Sequence, residues 1–493
     1  MRISDHVHGH RNRYTGLFLA AVLTLALPGT GQAADNASLS DEAVMLPEPF
    51  EPGDCEKMGA KGDPSLPPIA NPCALIRTGP PVELGPDLLG LGKLHPGFEL
   101  PTGAIWQPAL YLLGGVRTAL NVISSDDAED LAEIAVRADI AFNLQLTATE
   151  RIVLGFSPLN DGGDFTNYQF NPDEGSGYNG VFNSNIEQFW FEGDFGELFP
   201  DLQKRGDDPR LEKNNEYGFS IGRQPLYFQD GMLIVDTMDA IGIVRNNLQL
   251  FDRSPSTRLT FLFAWNDVNR GDNLDDADAS LLGFFGETDT LRSTIEFDAV
   301  YVRSDKGGDG INLGYGTTQR FGFWNTTFRV NASHALDQES AAVADGVLLF
   351  FELSRAPLGT HNVVYLNGFA AIDSYTSASR GETTGGPLGR TGILFSAPGL
   401  GRFGAPLSSE SSEAIGGALG YQWFFNQDKS NLIAELGLRN DRSGPEDTYE
   451  GGLGLRYQQA LSRRWLFQTD VFIVDGKDRG TDLGLRTEIN IAF

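Results

Sequence analysis

The chain predicts an all-β fold, a transmembrane antiparallel up-and-down barrel of about eighteen strands, on three observations. In Gly480 to Phe493 the odd positions Leu483, Leu485, Ile489, Ile491 and Phe493 are apolar apart from Thr487. The even positions carry Asp482, Arg486, Glu488 and Asn490. A side-chain period of two over a dozen residues suits a strand with lipid on one face and water on the other. The same alternation returns through residues 101 to 493, while no long apolar helix-forming run follows the first segment. The composition agrees: Gly 59 and Phe 33 accompany a hydrophobic fraction of only 41% and a mean hydropathy of -0.21, far too polar for a helical membrane protein.

The elements follow in chain order. Arg11 and Arg13 precede an apolar core from Gly16 to Leu27, then Pro28, Gly29 and a small-residue site ending at Ala33. Residues 1–33 therefore read as a cleaved secretory signal, its core too short for an anchor helix. No Cys at the cleavage site marks a lipoprotein. Residues 34–100 are broken by prolines such as Pro47, Pro64, Pro80 and Pro96, which stop any sustained strand or helix. A periplasmic extension, a plug in the lumen and a linker all fit this composition. Its Cys55 and Cys73, an isolated pair in an exported chain, are expected to form one disulfide.

The barrel region spans 101–493. Val116, Thr118, Leu120 and Val122 alternate with Arg117 and Asn121, and Ile134, Val136, Ala138 and Ile140 with Glu133, Arg137 and Asp139. These are expected to be adjacent strands joined through Ser124 to Asp130. The pattern recurs around residues 259–265, 295–301, 324–330, 347–353, 432–438 and 449–457, with aromatics at the ends of the apolar stripes. Gly-, Asp- and Ser-rich interruptions near 158–182, 267–292 and 374–412 are expected as extracellular loops. At roughly 22 residues per strand and turn, the region holds about 16 to 18 strands, and a barrel that wide leaves an aqueous lumen unless loops fill it.

The closing stretch resembles the last strand of bacterial outer-membrane barrels, and that resemblance implies that Phe493 is the signal read by the barrel-insertion machinery. Outer-membrane lipid is then the expected surroundings. A formal charge of -29 excludes a nucleic-acid partner, since phosphate binding needs a basic footprint. On the polar strand faces every cation is an arginine: Arg117, Arg137, Arg258, Arg329, Arg439, Arg456 and Arg486. Guanidinium groups grip carboxylates through two parallel hydrogen bonds and stay charged, so these seven are the candidate pore-lining residues. The same faces carry Glu133, Asp139, Glu296, Asp298, Glu352, Glu435, Glu450, Asp482 and Glu488. An anion-guiding ladder and a wall braced by cross-strand ion pairs are both open at this point.

One internal stretch is more specific. Gly222, Arg223 and Gln224, followed by Leu226, Phe228, Asp230-Gly231, Leu233-Ile234 and Asp239-Ala240, resemble the alginate-export family of outer-membrane barrels. The resemblance covers about 30 residues and implies an eighteen-stranded barrel with an arginine-lined constriction that passes an anionic polysaccharide. Met232 stands where that family usually has a basic residue. By alternation Arg223 shares its parity with Tyr217, Phe219 and Ile221, so a bulge near Gly222 is needed to bring it to the pore, or the motif closes a turn.

Catalysis finds little footing. Beyond the signal the histidines are His95, His334 and His361, and Ser333 and His334, as strand neighbours, project to opposite faces. The acidic run Asp272, Asp275, Asp276, Asp278 lacks the ligand spacing of a calcium loop. No metal, cofactor or enzymatic activity is expected. The sequence thus predicts an outer-membrane channel for passive passage of anionic solutes, with export of an anionic polysaccharide such as alginate as its finer form. The alternatives are a loop-plugged structural or assembly barrel with a periplasmic partner on residues 34–100, and a rim-located hydrolase.

Overall fold

The computed structural model describes residues 79–88, 97–170, 177–200, 216–250, 254–270, 278–337, 342–442, 444, 447–477 and 479–493. The signal segment, Cys55, Cys73, His95 and most of the acidic run 272–278 lie outside them.

Eighteen strands form the wall: β1 (Ala109–Ser125), β2 (Leu131–Gln145), β3 (Arg151–Phe156), β4 (Gln188–Asp194), β5 (Tyr217–Phe228), β6 (Ile234–Leu248), β7 (Ser256–Trp265), β8 (Ser280–Asp289) and β9 (Ser293–Arg303). They continue as β10 (Gly310–Phe321), β11 (Trp324–Ala335), β12 (Gly346–Arg355), β13 (Val363–Asp373), β14 (Ala414–Phe425), β15 (Ser430–Asp441), β16 (Thr448–Ala460), β17 (Trp465–Gly476) and β18 (Gly480–Ala492). Each pairs antiparallel with its predecessor, and β18 closes on β1 from Asp482↔Ser125 to Ala492↔Gly115. Closure removes every free edge, which lets strands cross a lipid phase with their backbone groups satisfied.

The period of two decides the faces. Phe261, Phe263, Leu453, Leu455, Leu483 and Leu485 are exposed on the outside, and their neighbours Leu262, Gly454 and Arg486 are buried within. Trp324, Trp423 and Trp465 stand at the end of the wall joined by short turns, and Trp265, Tyr301 and Tyr449 at the end joined by long loops. Those are the two aromatic girdles of a membrane-spanning barrel. At the short-turn rim Phe493 exchanges backbone hydrogen bonds with Gly114 (2.8 and 2.9 Å). There Val82–Leu84 pairs with Leu110 to Leu112, the part of β1 that extends past β18.

All three expected loops differ. Residues 267–292 are not one loop, because they contain the whole of β8. Within 158–182, Asp164–Gln169 pairs with Glu133 to Val136 and continues the wall above the short β3. The largest difference is residues 374–412, expected outside the cell: they fold into the lumen. Together with the β5–β6 hairpin they fill much of it, each over its own apolar core. Met232, Leu348, Phe350, Phe369, Leu394, Phe395 and Phe472 pack around the loop, and Met238, Leu262, Leu281, Phe285 and Val300 around the hairpin.

Candidate functional site: an arginine-lined cavity

The hairpin leaves the wall at Gly222. Pairing of β5 with β4 stops at Phe189↔Arg223 and that of β6 with β7 at Asp239↔Trp265, while β5 and β6 stay paired to their tip. Gly222 has φ +119, and a Cβ there would lie 2.2 Å from the Phe189 carbonyl oxygen, so only glycine fits this bend. Beyond it the even face packs on the inner wall, with Phe228 stacked on Phe285 at 3.5 Å. The tip reaches farther: Gln229 donates to Asp298 (2.6 Å) on β9, and Arg329 of β11 binds Asp230 (2.8 Å) and Gln229 (2.6 Å).

The odd face of the hairpin then looks into open space instead of lipid. That resolves the parity of Arg223 without a bulge, since the β5–β6 register runs unbroken through Gly222. The motif closes no turn. Arg223 pairs with Asp267 and donates to the Glu187 carbonyl (3.3 Å), tying the tops of β4 and β7 together beneath the bend. Met232, at the position where a basic residue was the family expectation, is fully buried, and its carbonyl accepts from Tyr375 (2.9 Å) and Ser377 (2.6 Å) of the loop.

The loop is fastened all round the interior. Ser379–Arg380 pairs parallel with Ile234 and Val235 of the hairpin. Buried Arg270 donates to the Ala378 carbonyl (2.5 Å), and Asn312 of β10 to that of Thr376 (2.7 Å). Glu435 of β15 accepts from the backbone of Ile393 and Leu394 (2.9 Å each). Arg117 and Asn121 of β1 donate to the carbonyls of Pro398 (2.9 Å) and Leu400 (3.0 Å). Contacts to β1, β10 and β15 place the loop across the lumen.

A cavity of about 960 Å³ lies between these two elements and the wall near β1 to β4, lined by Arg117, Arg137, Arg223, Arg380 and Arg390. Asp139, Asp161, Glu187, Asp230, Asp236, Asp267 and Glu382 also line it, with Asn160, Asn185, Asn269 and Thr237 between. The carboxylates outnumber the guanidinium groups seven to five, and several of each are paired. Arg137 binds Asp139 (2.8 Å), and Arg390 binds Asp230 (3.2 Å) and Glu352 (3.7 Å). Burial alone would lower the Arg390 guanidinium, but Asp230 and Glu352 more than offset it and hold it above its ordinary value. Arg380, whose pKa burial lowers, donates to oxygens of Gly231, Ser377, Thr384 and Gly385 and forms no ion pair among the described residues. Burial pushes the Glu187 carboxyl up, against the hydrogen bond from Asn183 (2.8 Å).

The seven arginines singled out by parity all lie on the inward side but do not form one ladder. Arg117 and Arg137 reach the cavity. Arg117, Glu488, Arg486, Asp470 and Arg456 make a chain of alternating charge across β1, β18, β17 and β16, closing the seam. Arg439 binds Asp441 (2.5 Å) and holds the carbonyls of Ser408 (3.0 Å) and Glu410 (2.7 Å), Arg329 is taken up by the hairpin tip, and Arg258 pairs with Glu287 (2.7 Å). Six of the seven therefore brace the wall or an inward element, Arg117 among them. Arg380 and Arg390 escaped the sequence reading because it assigned their loop to the outside. The overlooked signal was Leu388, Ile393, Leu394, Phe395, Leu400, Phe403 and Leu407, too many apolar residues for a solvated loop. Ser333 is buried and His334 exposed, on opposite faces, and among the described residues His334 and His361 pair with Asp345 (2.9 Å) and Asp428 (2.8 Å) at the rims.

No family model matches the chain, and no curated protein matches it by sequence. The resemblance to the alginate-export family is therefore without support. Among solved structures, Pseudomonas aeruginosa OccK2 (OpdF) matches at 10% identity over 78% of this chain and 97% of its own, with a TM-score of 0.51. Acinetobacter baumannii OccAB1 matches at 8% identity over 78% and 96%, with a TM-score of 0.50. At such identities the likeness is one of fold, and the chain shares with these outer-membrane porins the closed antiparallel barrel of eighteen strands.

Proposed function

We propose that the chain is an outer-membrane channel for passive passage of small anionic solutes, through the cavity beside β1 to β4. The observation that carries this reading is the placing of five guanidinium groups, set among seven carboxylates, around a cavity of about 960 Å³ beside both inward elements. Guanidinium groups in a confined, low-dielectric passage stabilise a passing carboxylate through short charge-assisted hydrogen bonds. The carboxylates beside Arg137, Arg223 and Arg390 keep that grip weak enough for release, which conduction requires. A loop fastened across the lumen suits single small solutes rather than a polymer. Planar-bilayer reversal potentials in a potassium chloride gradient test the reading. The expected result is anion preference that falls when Arg137 is replaced by Gln; cation preference would discard the anionic solute and keep the pore.

A further inference from the structure

Among the described residues the hydrogen bonds of Arg380 go to uncharged oxygens, and those oxygens belong to two different elements. Its Nη2 donates to the Gly231 carbonyl at the hairpin tip. Its Nη1 donates to the Thr384 (3.3 Å) and Gly385 (2.9 Å) carbonyls and its Nε to Ser377 Oγ (3.3 Å), all within the loop. Gly231 has φ +79, a conformation that L side chains rarely adopt, so the carbonyl presented there depends on a glycine. The backbone around Arg380 repeats the junction. Ala378 N–H donates to the Leu233 carbonyl and Gly381 N–H to that of Val235, both at 2.9 Å. Ser379 Oγ and Asn269 Nδ2 donate to Asp236 (2.5 and 2.9 Å), completing the joint.

A planar guanidinium can hold several carbonyls at fixed angles at once, whereas a lysine ammonium in the same place carries the charge without the fork. Among the described residues Glu410 and Asp236 act on the charge of Arg380 without an ion pair to it, so its role rests on its shape as well as its charge. We propose that Arg380 is the clamp that joins the hairpin tip to the loop and so sets the bore of the passage, a positioning role in which the fork matters more than the charge. The clamp rests on the channel reading for its effect on flow, and on geometry alone for its effect on the loop.

The test compares Arg380→Lys with Arg380→Gln in the refolded full chain. Heat-modifiable gel migration first shows that both barrels are closed. Single-channel conductance is expected to rise at least about twofold in both variants, because the constriction limits flow. Arg380→Lys should keep the wild-type ion preference. Tryptic cleavage at Arg390 should become faster in both, which reads the loop directly even if the wild-type barrel is silent. A silent wild type with faster cleavage in both variants retains the clamp and removes the channel reading. Wild-type conductance and cleavage in Arg380→Lys, with changed ion preference in Arg380→Gln alone, would overturn the clamp and make Arg380 a selectivity charge. Unchanged cleavage in both variants would also overturn it.

Discussion

Single residues decide where the wall ends and the interior begins. Gly222→Ala places a methyl group against the Phe189 carbonyl oxygen at a φ of +119. The expected cost is about 1–3 kcal/mol of barrel stability, read as a lower urea midpoint of the refolded barrel in detergent. An unchanged midpoint would mean that the bend does not depend on glycine. Met232 is fully buried between hairpin and loop. Met232→Lys puts an ammonium in that apolar core, which is strongly unfavourable without a partner. The loop should detach while the wall stays closed, giving faster tryptic cleavage at Arg390 with unchanged gel migration. Arg117 and Arg137 were legible as inward-facing from alternation alone. Their separation from Arg329 and Arg439 was not, because it depends on partners brought by chain segments far away in sequence, such as Asp230 and Glu410.

At the scale of elements, the strands were legible because each declares its faces within itself. In β7, Phe261, Phe263 and Trp265 are exposed and Leu262 and Ala264 are buried, as a period of two demands. Phe261→Arg should therefore cost about 2–4 kcal/mol if the site lies near the bilayer midplane, measured by urea unfolding in lipid vesicles. A negligible cost there would contradict a lipid-facing position. The hairpin is a different case. The run Met232 to Val235 is continuously apolar, the mark of a segment covered on both sides, and alternation gives no hint of which way it turns. The loop 374–413 has no periodicity at all. Its destination is written only in side chains such as Phe395 and Leu400, which meet their partners on β13 and on β1 and β2.

For the whole molecule, the barrel's size and closure followed from strand count and spacing, yet its function depends on how much of the lumen the chain occupies. An eighteen-strand wall with nothing inside would be a wide pore. Here the loop and the hairpin have their own packed apolar cores, and the cavity lies between them and the wall near β1 to β4. The loop that accounts for much of this filling is anchored on the opposite side, by Asn312, Glu435 and Arg439, as well as on β1. The measurement that tests the account most directly is the single-channel conductance of the wild-type barrel beside a variant with residues 378–409 replaced by a short glycine-serine linker. The account predicts small, stable anion-preferring steps for the wild type and steps several times larger, with weaker ion preference, for the variant. Equal steps from the two proteins, or a correctly closed variant that remains silent, would contradict it.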